Sequence, residues 1–205
     1  MTISLLEAQT ELEQELKDIT DVPSATYISW CDYVNKFLYR KLSKADPERF
    51  IASQSYTVTA SPSTQALPSS FRDVVPKGTG FFLVDTNGTQ TDTQLCLTNF
   101  GSQDTGYYIN GTNVVFTGIE ASTIYTLRYI PEITAFTALG DLFCVPDEYN
   151  RCVLDGLKVQ YFIWDEDSNL ESTADFRFNR SLNELLANIK KNPNVGIINN
   201  YSNYF

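Results

Sequence analysis

The sequence predicts an α+β protein, because apolar residues recur with helical period near both ends while short β-rich runs fill the middle. Composition supports a packed chain: 42% of the 205 residues are apolar, with 13 Phe, 12 Tyr and two Trp. That is enough to bury a sizeable core, either as one large domain or as a helical domain carrying a smaller insertion.

The first helix opens on Ser4 with Glu7 three residues later, a capping box in which each side chain satisfies an orphan amide of the first turn. Leu5, Ala8, Leu12, Leu16 and Ile19 then form one apolar stripe, and Glu7, Glu11, Glu13 and Glu15 occupy much of the remainder. Asp21-Val22-Pro23 is expected to break this helix, since proline disfavours a helical residue before it. Ser24 is a candidate cap for a second helix with a broad aromatic face of Tyr27, Trp30, Cys31, Val34, Phe37, Leu38 and Leu42. Arg40, Lys41 and Lys44 complement the dipole near its end, and Asp46-Pro47 stops it.

From about Ile51 to Phe136 the pattern changes to a small antiparallel β region. Tyr56–Thr59, Phe81–Val84 and Gln94–Leu97 are short strands, and Asp85-Thr86-Asn87-Gly88 after the second is a turn signal. In Tyr107–Thr117, Asn110-Gly111 lies between apolar runs as in a tight hairpin. Thr123–Ile130 alternates, with Ile124, Thr126, Arg128 and Ile130 on one face and Tyr125, Leu127 and Tyr129 on the other; Pro131 ends it.

Helical character returns at Val145-Pro146-Asp147-Glu148, with proline at the first helical position and two acids in the first turn. Tyr149, Val153, Gly156, Leu157, Gln160, Tyr161 and Trp164 share one face. Asp165-Glu166-Asp167 lacks the alternating oxygen ligands of a calcium loop and reads as a solvated turn. The fourth helix starts near Ser168 or Asn169, carries Leu170, Ala174, Phe178, Leu182, Leu185, Leu186 and Ile189, and stops at Asn192-Pro193-Asn194. Val195 to Phe205 is aromatic and nearly uncharged, which suits an added docking strand better than a loose tail.

Catalytic chemistry has little to stand on. There is no histidine, which removes the commonest general base and metal ligand. Cys31, Cys96, Cys144 and Cys152 form no C-x-x-C pair and sit among apolar neighbours, so four buried free thiols are expected. Phosphate-binding, nucleophile-elbow and zinc motifs are missing, and Pro76-Lys77-Gly78-Thr79-Gly80 reads as a turn into the next strand. Glu120, Asp141 and Glu148 are carboxylates that nothing in the sequence singles out. No enzyme, catalytic residue, metal or cofactor is expected.

The net charge of −10 argues against gripping nucleic acid, whose affinity comes from cations on phosphates. It suits a passage along which DNA slides, or docking on a basic partner, or simple solubility. The N-terminus has neither the basic start nor the apolar run of a signal peptide, and no stretch approaches the roughly 18 apolar residues of a membrane span. A soluble protein made in a reducing compartment is expected.

Four stretches in order carry a resemblance: Ala66-Leu67-Pro68-Ser69-Ser70-Phe71-Arg72-Asp73-Val74, the hairpin Tyr107–Phe116, the strand Tyr125–Pro131, and Asp141–Tyr149 with its Val145-Pro146-Asp147-Glu148 helix start. Together with two leading helices and a last one, they resemble the phage head–tail adaptors, of the tail accessory factor or tail tubular protein A type, over residues 2 to 191. The resemblance implies a four-helix bundle from residues 1–48 and 142–192, an inserted antiparallel β-barrel or sandwich over 49–141, and a C-terminal docking arm at 193–205. It also implies a virion neck protein forming a homo-oligomeric ring, of twelve subunits in relatives. Such a ring docks on the portal protein and holds tail or nozzle proteins, and DNA passes through it without specific binding. By analogy, Val195, Ile197, Ile198, Tyr201, Tyr204 and Phe205 contact the portal. Glu7, Glu11 and Glu15 are candidates to face the channel. The alternatives are another neck or tail-completion protein, or a carbohydrate-binding module using Tyr107, Tyr108, Tyr125 and Tyr129.

Overall fold

The computed structural model describes residues 2–16, 19–59, 61–74, 81–84, 90–99, 101, 104–119 and 123–191. Among these are four α-helices and two antiparallel sheets. The chain divides into two compact units, one of residues 1–49 with 133–205 and one of residues 50–132.

The first unit holds helices α1 (Leu5–Glu15), α2 (Ser24–Ala45), α3 (Asn150–Trp164) and α4 (Ser168–Lys191). The capping box forms as its residues dictate: the Glu7 N–H donates to Ser4 Oγ at 3.2 Å, and the Ser4 N–H donates to Glu7 Oε2 at 2.8 Å. The stripe ends sooner than its period suggests. Leu16 is already extended, closing α1 with its N–H on the Leu12 carbonyl, and Ile19 sits in a separate 3₁₀ turn. Pro23 therefore introduces α2 rather than stopping α1, and Ser24 is a helical residue with no capping bond. Pro146 likewise precedes a 3₁₀ turn, Asp147–Tyr149, and the α-helix proper starts at Asn150.

Helix α3 is packed by each of the other three helices, and α4 also meets α2. Gly156 permits the close approach: a Cβ there would lie 3.0 Å from both Phe178 and Val34, on α4 and α2. Ring contacts mark the same seams, Trp30 with Trp164 at 6.1 Å and Phe37 with Phe178 at 5.6 Å. The segment before α3 is stitched back to the N-terminal helices. Phe143 N–H donates to Ile3 O, Leu5 N–H to Asp141 O and Leu6 N–H to Leu139 O, at 3.1, 3.1 and 2.9 Å.

The second unit holds β1 (Ala52–Val58), β2 (Ser63–Ala66), β3 (Phe71–Val74), β4 (Phe81–Val84), β5 (Gln90–Leu95), β6 (Gly106–Asn110), β7 (Asn113–Thr117) and β8 (Thr123–Pro131). Strand β8 is the spine of the first sheet. It pairs along one edge with β1, from Tyr129↔Ala52 to Thr123↔Val58, and along the other with β3 and β4 in turn, while β5 extends beyond β4. The second sheet runs β2-β7-β6.

No closed barrel forms among the described residues, so of the two expected architectures the barrel falls. The ladder stops at β1 and β5 in one sheet and at β2 and β6 in the other. One core nevertheless serves both sheets: Tyr56, Phe81, Leu127 and Tyr129 cluster with Tyr107, Val114 and Phe116. The alternation of β8 is realised, with Tyr125, Leu127 and Tyr129 buried. In the hairpin, Asn110 pairs with Asn113, so the loop is Gly111-Thr112 rather than Asn110-Gly111. Gly111 takes the left-handed backbone (φ +59) that this two-residue loop demands. The Asp85–Gly88 turn signal lies outside the described residues.

Strands β2 and β3 escape a sequence reading because Ser63-Thr64-Gln65-Ala66 offers no apolar alternation and β3 is broken by a register shift. The thiols also differ from expectation. Cys31 and Cys152 are buried and Cys144 is half-buried, but Cys96 is exposed. It follows the last residue of β5 and has left the sheet, so its apolar neighbours in sequence do not cover it.

Candidate functional site

The acidic candidates lie on α1 at i, i+4 and i+8, which places Glu7, Glu11 and Glu15 along one exposed side of the helix. They are not equivalent. Glu7 completes the capping box, and the Ser4 backbone N–H, with help from the Ser4 hydroxyl, holds its carboxyl below the usual range. Glu15 reaches across to α3, pairing with Arg151 at 3.0 Å and with the Lys158 ammonium. The Lys158 hydrogen bond is the main reason its carboxyl titrates low. Glu11 is exposed. The candidate arm residues Val195, Ile197, Ile198, Tyr201, Tyr204 and Phe205 lie outside the described residues.

Behind Glu15 is a polar network that sequence reading missed. Asp155 and Lys158 are buried on α3, at positions the apolar periodicity assigns to the solvent side. Ser181 Oγ on α4 donates to Asp155 Oδ2 at 2.6 Å, and Asp155 Oδ1 lies 3.1 Å from Arg151 Nε. One arc of α3 therefore ties to α1 and α4 through charges. Two further polar pins cross long stretches of sequence: Asn35 Oδ1 accepts the Cys144 N–H at 2.8 Å and Asp32 Oδ1 the Phe136 N–H at 3.2 Å. No local pattern marks these residues. An Asn among the aromatics of α2 was the one available signal, since a buried amide must find a partner.

Asp141 and three of the four thiols are committed to structure. Asp141 Oδ2 accepts the N–H groups of Thr137 and Ala138 at 2.7 and 3.0 Å, shaping the loop that meets α1. Burial pushes the Cys31, Cys144 and Cys152 thiols up to about 12, the reverse of what a nucleophile requires. Among the described residues, no three His, Cys, Asp or Glu side chains converge to hold a metal ion. Glu148 is exposed, and Glu120 lies outside the described residues. The sugar-stacking reading loses its platform, because Tyr107, Tyr125 and Tyr129 are core residues and only Tyr108 is half-exposed. No helix among the described residues is long and apolar enough to cross a membrane.

The fold and these contacts define a chain of one helical and one β unit whose polar side chains serve as caps, stitches and interhelical pins. The SU10 adaptor protein family matches residues 2–196, and the chain belongs to that family. This accords with the phage head–tail adaptor resemblance carried by the order of its segments. No curated protein matches the chain.

Proposed function

We propose that this chain is a structural head-to-tail adaptor of a bacteriophage virion, and the observation that carries the reading is membership of the SU10 adaptor family over residues 2–196. In this reading the helices from residues 1–48 and 142–192 act as a four-helix bundle and residues 49–141 as an inserted β module. Copies form a closed ring through a heterologous contact, of twelve subunits as the head–tail adaptor resemblance implies. The ring docks on the portal and attaches the tail or nozzle around the DNA channel, in a particle assembled in the host cytoplasm.

Glu7, Glu11 and Glu15 face the channel, where their charge keeps the DNA backbone moving rather than bound. Glu7 is held ionised by the neutral groups of its cap, whereas the charge of Glu15 is offset by Arg151 and Lys158, so in this reading Glu7 and Glu11 supply most of that field. The arm from Val195 to Phe205, with Ile197, Ile198, Tyr201 and Tyr204, reaches the portal as an added strand.

The test is to mix the protein with portal and image the complex by electron microscopy. A ring on the portal that then recruits tail proteins is expected. Binding of tail proteins without portal would make it a tail-completion protein instead, and no ring with all components present overturns the reading. Removing residues 195–205 is expected to weaken docking while leaving the helical circular dichroism unchanged.

A further inference from the structure

The tip between α3 and α4 has so far no role. Asp165 closes α3, Glu166 adopts left-handed backbone (φ 57), and Asp167 Oδ1 caps α4 by accepting the Asn169 and Leu170 N–H groups. Around this turn Ile163, Trp164 and Leu170 are 49%, 44% and 46% exposed. Residues 163–171 also hold Asp165, Glu166, Asp167 and Glu171 and no basic residue. Scattered apolar side chains need no explanation, but three large ones gathered on one acidic tip mark a contact surface.

Its complement lies on α2. Tyr33, Phe37, Arg40 and Lys44 recur at spacings of three and four along one side, with Lys41 Nζ 5.2 Å from the centre of the Phe37 ring. Lys36 is paired with Asp32 at 2.7 Å. Beyond it, residues 37–44 hold Arg40, Lys41 and Lys44 and no acid, so the positive charge gathers toward the C-terminal end of α2. A groove of about 410 Å³ opens along the same helix, lined by Ser29, Asp32, Tyr33, Lys36, Phe37 and Arg40. Tyr33 is 58% exposed at its edge.

The charged parts of the two surfaces cannot meet within one chain. Trp164 packs on Trp30, and at 1.5 Å rise per residue Lys41 and Lys44 lie about 16 and 21 Å further along α2. That exceeds the Debye length of about 8 Å at physiological salt. Complementary patches displaced on one subunit give a heterologous, head-to-tail contact, the kind that closes a ring.

We propose that the acidic, apolar α3–α4 tip of one copy docks on α2 of the next, its apolar side chains at the aromatic groove and its acids at the basic end of the helix beyond it. This rests on the ring reading and names the contact that joins its subunits. Trp164 and Ile163 meet Tyr33 and Phe37, and Asp165 and Glu166 face Lys41 and Lys44. The pairing is partly exposed, so it weakens as salt rises.

Sedimentation equilibrium of the full chain at low ionic strength tests it, with Asp165→Lys/Glu166→Lys as one variant and Lys41→Glu/Lys44→Glu as the other. Each alone is expected to weaken self-association on the order of tenfold, and an equimolar mixture to recover it, since each reversed surface then meets its complement. Wild-type association in either single variant overturns the proposal. So does a mixture no better than its components, or a wild-type chain that stays monomeric. Circular dichroism and melting verify folding; should a reversal variant unfold, Asp165→Asn/Glu166→Asn and Lys41→Gln/Lys44→Gln carry the same comparison with a smaller loss. Portal binding is scored separately: self-association through these surfaces without portal binding sinks the adaptor reading alone, and portal binding without the charge dependence sinks this contact alone.

Discussion

The β unit and the helical unit are held together by different means. The β unit is closed in sequence, and its core is a set of rings: Phe81 lies 4.5 Å from Tyr107, 5.2 Å from Phe116 and 5.7 Å from Tyr56, with Tyr125 stacked beyond Phe116 at 6.1 Å. The helical unit is assembled from two stretches of chain that the β unit separates. Its seams carry directional bonds, from Asn35 to the Cys144 amide, Asp32 to the Phe136 amide, Ser181 to Asp155 and Glu15 to Lys158. The hydrophobic effect has no direction, so aliphatic stripes on helices can slide by a turn with little change in buried area. Strands are registered by their ladders, whereas distant helices need pins.

The comparison breaks most readily at Phe116. Phe116→Ala removes the ring that Tyr56, Phe81 and Tyr125 share, and about 3–5 kcal/mol of β-unit stability should go with it. Amide exchange along β7 and β8 measures the loss. Both tryptophans, Trp30 and Trp164, belong to the helical unit, so their fluorescence transition should move less. Equal shifts would mean that the two units unfold as one.

Asn35→Leu probes the other side. It leaves the Cys144 amide without its acceptor and should cost about 1–3 kcal/mol. The loss should be read by tryptophan fluorescence and by earlier labelling of the Cys31, Cys144 and Cys152 thiols, with Cys96 reacting in the folded protein throughout. Unchanged labelling of the three shielded thiols would mean that packing alone sets the helical register.

Smaller effects sharpen the picture at α1. Ser4→Ala should cost about 1 kcal/mol through loss of the capping box, measured by thermal melting, while Ser24→Ala, which breaks no capping bond, should not. Glu15 supplies the least, at most about 1 kcal/mol because the pair is partly exposed. Its folded pKa lies below the ordinary 4.5, so its contribution is complete above that value and disappears as pH falls through the folded pKa. Glu15→Gln should therefore flatten the acid limb of a melting-temperature profile below about pH 4.5, and an unchanged limb would remove the pair from the account.

Legibility followed the range of the forces involved. The capping box, the alternation of β8 and the hairpin were readable because each is decided within a few residues. The end of α1 was not: Leu16 continues the stripe in sequence yet leaves the helix, and the acid beside it points across to α3. Pro146 was a sound helix-start signal that opened a 3₁₀ turn three residues before the helix. Cys96 looked buried from its neighbours and is not, because strand β5 ends before it. Of the candidate site, the placement of Glu7, Glu11 and Glu15 on one side of α1 follows from their spacing alone, but the engagement of Glu15 required Lys158, 143 residues away.

By itself the sequence determined the α+β class, the helical ends and β middle, the strong acidity and the absence of histidine, all of which follow from local sterics, periodicity and composition. Only the tertiary structure decided that β8 would be the spine of an open sheet rather than part of a barrel. It also decided that Asp155, Lys158 and Asn35 would be buried partners. Partner choice across a hundred residues depends on which surfaces meet, and a window of a few residues carries no record of that.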